Sequence, residues 1–331
     1  MSKLTNLPFA FIVSTISQKV WHGRAKFLTV TVAFALLVYM IIFVIPVRNV
    51  VFYPVIEKAW RQVKTSDILK IHYGELKIPD GIFSIVSCPV LLETPVNISD
   101  VNTSAILTYD YLRDPEVVRR VLEKGHGQFL PVLNLSQKIE NFYLYKVAAA
   151  ALDSVDVRHF IVAGALLGLS RHRGLIPWDD DIDIVVSFDS WELVKQALSC
   201  IRGFRLFKGN AIHWSLKYLG RDYPFVDILF YDKDDAFVWA ITWYSRGTVF
   251  YPTADVFPLV ESTFEGVKVP VPRHAIKIAK QIYNYDDCVV YRGHTQRFQS
   301  LIETYPKGYL VSEVPCTELS YMYSMFNLGE S

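Results

Sequence analysis

Residues 166–186 read LLGLSRHRGLIPWDDDIDIVV: a helix-like stretch, a charged turn and an apolar strand in succession. Four carboxylates lie within five positions of this stretch: Asp179, Asp180, Asp181 and Asp183. Side chains two apart on a strand share one face, so Asp181 and Asp183 repel each other unless a cation lies between them. Hard cations such as Mg2+ or Mn2+ bind carboxylate oxygens and leave positions for substrate phosphates. The pair therefore predicts a metal site for phosphoryl chemistry.

A later segment, FVDILF, contributes a third carboxylate, Asp227. Its neighbours are apolar on both sides, and a charged group in such a strand needs a partner. Three carboxylates on two strands suit one or two metal ions. We therefore expect Asp181, Asp183 and Asp227 to be both the metal ligands and the catalytic residues.

The helix before the acidic string adds candidate phosphate-binding groups. Gly164 and Gly168 lie where a strand passes into this helix, and a glycine there lets a phosphate approach backbone N–H groups. Tight helix packing is the alternative for Gly168. Arg171, His172 and Arg173 follow near the helix end, and arginine is well shaped to bind phosphate oxygens.

The acidic string has other interpretations. Asp179 and Asp180 taken alone are typical of a solvated loop. A calcium-binding loop fits the first aspartates but requires Gly and Glu where the chain has Ile184 and Ser190. The Asp-x-Asp pattern of nucleotide-sugar glycosyltransferases also fits locally, and this alternative stays open.

From residue 136 onwards, helical and strand patterns alternate. A helix is expected from Ser136, a strand ending at Gly164, a helix stopping near Gly174, a strand over DIDIVVSF and a helix after Asp189. Three strands then follow, with turns at Gly209-Asn210 and at residues 220–222. This order predicts an α/β (α+β) fold, a mixed sheet with flanking helices. The predicted domain covers residues 136–331.

The N-terminal region predicts a membrane anchor. Residues 27–47 contain no charged residue over 21 positions, long enough to span a bilayer as a helix. Residues 1–26 would form a cytoplasmic tail. Three N-glycosylation acceptor patterns, at Asn97, Asn102 and Asn134, all follow the apolar stretch and favour a lumenal C-terminal part. We expect a single-pass type II protein.

Residues 48–135 are expected to form a stem and a small accessory region without assigned chemistry. Residues 81–92 predict a short buried strand region, and DPEVVRRVLEKG predicts a helix with Asp114 as N-cap, Pro115 at its first position and Gly125 at its end. Cys88, Cys200, Cys288 and Cys316 would lie in an oxidising compartment, and the sequence does not choose among their three pairings. A mixed Cys/His metal site is a minor alternative.

The overall charge argues against nucleic acid as a partner. The formal net charge of the 331 residues is +1, without the basic excess that a nucleic-acid surface requires. The oligomeric state is not indicated.

The quoted helix and acidic string, together with VDILF, resemble the LicD/fukutin family. The resemblance continues in DVFPLVESTFEGVKVPVPRHAIKIAKQIYNYD, residues 255–286, and covers about residues 140–290. It implies a nucleotidyltransferase fold in which Asp181 and Asp183 bind metal and Asp227 is the third carboxylate. Gly164 and Arg171 match family positions beside the string, as do Trp178, Asp179 and Asp180 within it.

The resemblance also implies an activity. A phospho-alcohol, of the ribitol 5-phosphate or phosphocholine type, would move from a CDP-activated donor to a hydroxyl of a glycan or glycoprotein, releasing CMP in the Golgi (or ER). Arg171 or His172 would steady the leaving phosphate. The aromatic residues between Phe237 and Tyr251 form either a cage for a choline ammonium or two core strands. A sugar transferase and a non-catalytic lumenal scaffold are the competing functions.

Overall fold

A computed structural model describes residues 78–209, 212–242, 249–291 and 310–323. All of them belong to one compact unit, Leu69–Ser331. The predicted cytoplasmic tail, the predicted membrane span and residues 48–77 of the predicted stem lie outside the described residues. Among the helices that are described, none is both long enough and apolar enough to cross a bilayer.

The helices begin and end close to the predicted positions. The described α-helices are α1 Pro115–Glu123, α2 Leu135–Asp153, α3 Ala163–His172, α4 Trp191–Ser199, α5 Thr253–Val256 and α6 Ala275–Ile282. Short 3₁₀ turns lie at Ile98–Asp100, Thr103–Ala105, Asp110–Arg113, Gly127–Phe129, Phe188–Ser190 and Cys316–Leu319. Helix α1 has the predicted start, since the Asp114 side chain accepts hydrogen bonds from the N–H groups of Glu116 and Val117.

Helix α2 starts earlier than predicted. Its N-cap is Asn134 rather than Ser136. The Asn134 side chain accepts a hydrogen bond from the Gln137 N–H at 3.0 Å, and the Gln137 side chain accepts one from the Asn134 N–H at 2.9 Å. This reciprocal capping box satisfies two helix-end donors at once, which a serine two residues later would not do.

The main sheet is mixed, as predicted. The described strands are β1 His159–Ile161, β2 Ile182–Ser187, β3 Phe204–Gly209, β4 His213–Tyr218, β5 Phe225–Lys233, β6 Phe237–Ala240, β7 Phe250–Pro252, β8 Val260–Phe264, β9 Val267–Val271, β10 Asp287–Tyr291 and β11 Leu310–Pro315. The main sheet has the order β1-β2-β5-β4-β3, with β6 paired to β5 and β7 to β6. Strands β2 and β5 are parallel, and the other pairs in this sheet are antiparallel. Two further two-stranded sheets, β8-β9 and β10-β11, are not hydrogen-bonded into it.

The two faces of β2 have different surroundings. Ile182, Ile184 and Val186 point to one face and are completely buried. Helix α2 contacts the neighbouring strands β4 and β5. Asp183 and Val185 alternate onto the opposite face, because successive side chains of a strand point to opposite sides. A rigid apolar layer therefore supports the strand whose other face carries the acidic pair.

Residues 81–92 do not form the predicted buried strand. Ile85 is 92% exposed and Val90 is 71% exposed, although Ile82 is buried. The segment is attached to the domain by the Cys88–Cys200 disulfide, by an isolated bridge between Leu92 and Ile201, and by hydrogen bonds from the Lys195 ammonium to the Gly81 carbonyl and the Ser84 hydroxyl. Pro89 lacks the N–H that a sheet ladder would need, which fits this isolated bridge.

The four cysteines form two disulfides, Cys88–Cys200 and Cys288–Cys316. This pairing is one of the three that the sequence left open. Because none of the four is free, the alternative of a mixed Cys/His metal site is wrong.

Candidate metal centre

Neighbouring strands bring the predicted metal ligands together. Asp183 of β2 lies directly opposite Asp227 of β5 in the parallel register, and Asp181 immediately precedes β2. One carboxylate oxygen from each of Asp181, Asp183 and Asp227 lies within 4.8 Å of the other two. Hard divalent cations are bound by such clusters of oxygen ligands. The three residues, called the acidic triad below, form a candidate metal centre.

The acidic triad is electrostatically strained as it stands. Burial, followed by the charges of Asp183 and Asp179, raises the pKa of Asp181 well above its ordinary value. Burial and the charge of Asp227 raise the pKa of Asp183 to about 7, although His213 and the N–H groups of Gly164 and Ala165 act in the opposite direction. A bound cation would relieve this repulsion, because it favours the ionised form of each carboxyl.

The N-terminus of α3 faces the acidic triad through Gly164. Its N–H donates a hydrogen bond to Asp183 Oδ2 at 3.2 Å. A Cβ atom at this position would lie 2.6 Å from Asp179 Oδ2, so only a glycine allows the carboxylate this close. Ala163, just before it, has a φ of 48°, in the left-handed region. Gly164 thus contacts the acidic groups, and its role towards a phosphate stays a prediction.

Gly168 serves helix packing. A Cβ atom there would lie 2.5 Å from the Gly174 carbonyl oxygen and 3.0 Å from the Ile176 nitrogen. Gly168 does not line the cavity beside the triad. These contacts favour the packing alternative for Gly168, and its role towards a phosphate stays a prediction.

Arg171 and His172 occupy different environments. Arg171 lines the cavity, but its guanidinium donates hydrogen bonds to the carbonyls of Tyr285 and Asp287 and to the ring of His172. His172 is 2% exposed, and burial and the Arg171 charge lower its pKa well below the ordinary value. His172 is buried and does not line the cavity, and its contact with a phosphate stays a prediction.

The first three residues of the string also separate. Trp178 lines the cavity and its indole N–H donates a hydrogen bond to the Val289 carbonyl at 3.0 Å. Asp179 lines the cavity too, whereas Asp180 does not and is buried. The interpretation of Asp179 and Asp180 as a solvated loop is wrong, since Asp180 is buried and Asp179 is only partly exposed.

A cavity of about 480 Å³ opens beside the acidic triad. Its lining includes Phe160, Tyr231, Trp239, Tyr251 and Tyr283, which make much of the wall aromatic. Trp239 and Tyr251 belong to the paired strands β6 and β7, as the core-strand alternative for this run predicts. Trp243, Tyr244 and Arg246, the other members of the considered cage, lie outside the described residues.

Sequence reasoning missed His213 and Tyr283. His213 Nε2 lies 2.6 Å from Asp227 Oδ2 in an ion pair. Burial opposes protonation of His213, but the contact with Asp227 prevails and raises its pKa. Tyr283 lies at the end of α6 and lines the cavity, and burial, followed by the charges of Asp183 and Asp179, raises its pKa well above the ordinary value. The pairing of β4 with β5 was the clue to His213, because it places alternate β4 residues on the Asp227 face.

A mixed sheet whose adjacent parallel strands present a largely buried triad of carboxylates, faced by a strand–helix turn at Gly164, is the arrangement of a nucleotidyltransferase-type domain. The family model described as LicD/FKTN/FKRP, nucleotidyltransferase domain, matches residues 156–274, which supports membership of that family. All three residues of the triad, and Gly164 with them, lie inside the matched range.

Two bacterial proteins are similar to the chain. An uncharacterized protein of Rickettsia typhi is 28% identical over 180 residues, which cover 52% of this chain and 56% of that protein. An uncharacterized protein of Rickettsia prowazekii is 23% identical over 188 residues, which cover 52% of this chain and 66% of that protein. The match thus spans less than two thirds of the length of either relative.

Proposed function

We propose that the chain is a metal-dependent phosphotransferase that moves a phospho-alcohol from a CDP-activated donor to a glycan hydroxyl and releases CMP. The observation that supports this most is the acidic triad, with its three oxygens within 4.8 Å, in the wall of a cavity of about 480 Å³. A transferase of phosphoryl groups needs this combination. The diphosphate and the carboxylates are both negative, so the diphosphate can bind beside them only if a cation lies between the two.

The triad fits Mg2+ or Mn2+. Its members supply carboxylate oxygens from Asp181, Asp183 and Asp227, the ligand type these hard ions prefer. When bound, the cation would neutralise charge on the diphosphate and on the developing transition state. The raised pKa values of Asp181 and Asp183 support the fit, since both carboxylates are crowded without a counter-charge.

The proposed reaction is an in-line displacement. The oxygen of the acceptor hydroxyl forms a bond to the β-phosphorus, which carries the alcohol. The bond from that phosphorus to the bridging oxygen breaks, and CMP leaves with the electron pair. The hydroxyl proton passes to a carboxylate, for which Asp227 is placed at the cavity wall with His213 beside it.

The cavity walls set what the donor must fit. Trp239, Tyr251 and Tyr283 offer flat apolar surfaces on which a pyrimidine base or an alkylammonium group can stack. The two candidate groups for transfer are ribitol 5-phosphate and phosphocholine.

The cellular setting belongs to the same proposal. Residues 27–47 would anchor the chain in the Golgi or ER membrane as a single-pass type II protein, with the catalytic domain in the lumen and a glycoprotein as acceptor. Exposed side chains at Asn97, Asn102 and Asn134 are compatible with N-glycosylation on that side. Two disulfides suit an oxidising compartment.

The test uses the full chain, purified in detergent and incubated with Mg2+ or Mn2+, a glycan acceptor and a panel of CDP-alcohols. We expect CMP release with at least one donor and an activity at least about 100-fold lower for Asp183→Asn, which loses a metal ligand. Asp189→Asn removes the same charge from an exposed position after β2 and should retain full activity.

Donor arms separate the competing functions. Turnover of UDP- or GDP-sugars instead of CDP-alcohols would identify a sugar transferase. A folded protein that turns over no donor would contradict both enzyme assignments and favour a scaffold.

A further inference from the structure

A second group of oxygen atoms lies next to the acidic triad. Asp179, Asp180 and Asp181 each offer a carboxylate oxygen within 4.8 Å of the other two. Asp181 therefore belongs both to this group and to the triad. Three neighbouring carboxylates alone do not define a binding site, and the surrounding side chains decide the matter.

The first of these side chains is Asn141 of α2, which is completely buried. Its Nδ2 donates a hydrogen bond to the backbone carbonyl of Asp180 at 3.1 Å, which holds the amide against the acidic string. Its Oδ1 has no hydrogen-bond partner among the described residues. Because a buried carbonyl oxygen is normally satisfied, this atom calls for a donor or a cation.

The second is Tyr223, whose hydroxyl is buried and also lacks a hydrogen-bond partner within the described part of the chain. After burial, the charges of Asp180 and Asp181 contribute most to raising the pKa of Tyr223. Asn141 Oδ1 and the Tyr223 hydroxyl are thus two buried oxygens without a partner among the described residues, and the Asn141 side chain is bonded directly to the acidic string.

We propose that Asp179, Asp180 and Asp181, together with Asn141 Oδ1 and the Tyr223 hydroxyl, form a second site for a divalent cation, distinct from the acidic triad. All five groups are oxygen donors, and no sulfur or imidazole is included. This donor set suits a hard ion such as Mg2+, Mn2+ or Ca2+ rather than zinc.

The second cation has a defined structural consequence. It ties the acidic string to α2 and to the segment before β5, and so fixes the orientation of the shared ligand Asp181. The triad then keeps its geometry while substrate enters and product leaves. This site does not depend on which group the enzyme transfers.

The experiment counts bound Mn2+ on the full chain in detergent, by calorimetric titration and by metal analysis after removal of free ion. We expect two Mn2+ per chain for the wild type. Asp227→Asn should remove the triad ion and retain the second. Asn141→Leu should remove the second ion and retain the first.

Tyr223→Phe covers the case in which Asn141→Leu does not fold, because it deletes only a hydroxyl that has no hydrogen-bond partner among the described residues. We expect it to weaken the second site by about tenfold and to leave the first unchanged. Tyr143→Phe, a matched change on α2 away from the acidic string, should leave both ions in place.

One Mn2+ in the wild type, lost in Asp227→Asn, would overturn the second site and leave the proposed transferase intact. Two Mn2+ of unchanged affinity in both Asn141→Leu and Tyr223→Phe would also overturn it. If the wild type binds no Mn2+ at all, the result would instead count against the proposed function itself.

Discussion

Ionisation of Asp183 is unfavourable in the folded protein when no metal is bound. Asp183 lies directly opposite Asp227 of the adjacent strand β5. Burial and the charge of Asp227 raise the pKa of Asp183 to about 7. In the unfolded chain the same group has the ordinary aspartate pKa of about 3.8. Between these two values the folded protein binds more protons than the unfolded one, so without metal this group makes the fold less stable as pH rises.

The pH dependence of stability should reveal this unfavourable ionisation of Asp183. We expect the metal-free wild type to lose thermal stability, relative to Asp183→Asn, as pH is raised from about 4 to 7. Added Mg2+ should remove or reverse the difference, since the ionised carboxyl then has a counter-charge. The measurement is the melting temperature of both proteins over this pH range, with a chelator and with Mg2+. Parallel pH curves for the two metal-free proteins would contradict the assignment.

Two glycines of α3 should respond differently to an added methyl group. In Gly164→Ala the Cβ meets Asp179 Oδ2 at 2.6 Å, so the carboxylate must move and cation affinity should fall. In Gly168→Ala the Cβ meets backbone at 2.5 Å, which cannot shift easily, so the free energy of unfolding should drop by about 1–3 kcal/mol. Calorimetric metal titration and chemical denaturation of both variants separate the effects, and equal loss of metal affinity in both would argue against the distinction.

At the scale of secondary-structure elements, the correct predictions depended mostly on interactions between residues close in sequence. The start of α1 followed from Asp114 and Pro115, because a cap and a proline act within one turn. The aspartates were found for a similar reason, since alternation along one strand is a local property. His213 was missed because its contact with Asp227 depends on how β4 pairs with β5. Residues 81–92 were assigned wrongly because apolar composition does not reveal whether a sheet edge is available.

The N-cap of α2 allows a test at this scale, because Asn134 is both a cap and a predicted glycosylation acceptor. Asn134→Ala removes both functions and should lower the free energy of unfolding by about 1 kcal/mol. Asn134→Ser removes the acceptor but keeps a capping oxygen, so its stability should stay close to that of the wild type. Chemical denaturation of protein made without glycans isolates the cap. Equal destabilisation by both variants would show that Asn134 acts in some other way.

At the scale of the whole molecule, long-range covalent links were beyond the sequence. The four cysteines allowed three pairings, and only the folded chain brings Cys88 to Cys200 across a separation of 112 residues. Buried partners such as Lys138 and Glu265 are equally distant in sequence, yet their charged groups lie 3.0 Å apart. The family resemblance was enough to predict the residues of the acidic triad, because they lie in short motifs on or next to two strands. It did not predict the disulfide pairing or the buried ion pair.

The two disulfides should contribute unequally to stability. A cross-link mainly restricts the unfolded chain, and the restriction grows with the length of the loop it closes. The Cys88–Cys200 bond closes a separation of 112 residues and the Cys288–Cys316 bond one of 28. By chain entropy the first is worth roughly 5 kcal/mol and the second roughly 3.5 kcal/mol. We therefore expect the double variant Cys88→Ser/Cys200→Ser to lose more unfolding free energy than Cys288→Ser/Cys316→Ser.

Denaturant titration of both double variants, beside the wild type, measures this difference. Removing both cysteines of a pair avoids a leftover thiol that could exchange with the remaining disulfide. Residues 81–92 lie largely exposed, and apart from the disulfide they are held by the Leu92–Ile201 bridge and by Lys195, so the first variant should also become more sensitive to protease in this segment. If that segment stays protected and the loss of stability is the smaller of the two, contacts of the accessory region rather than the disulfide hold it on the domain.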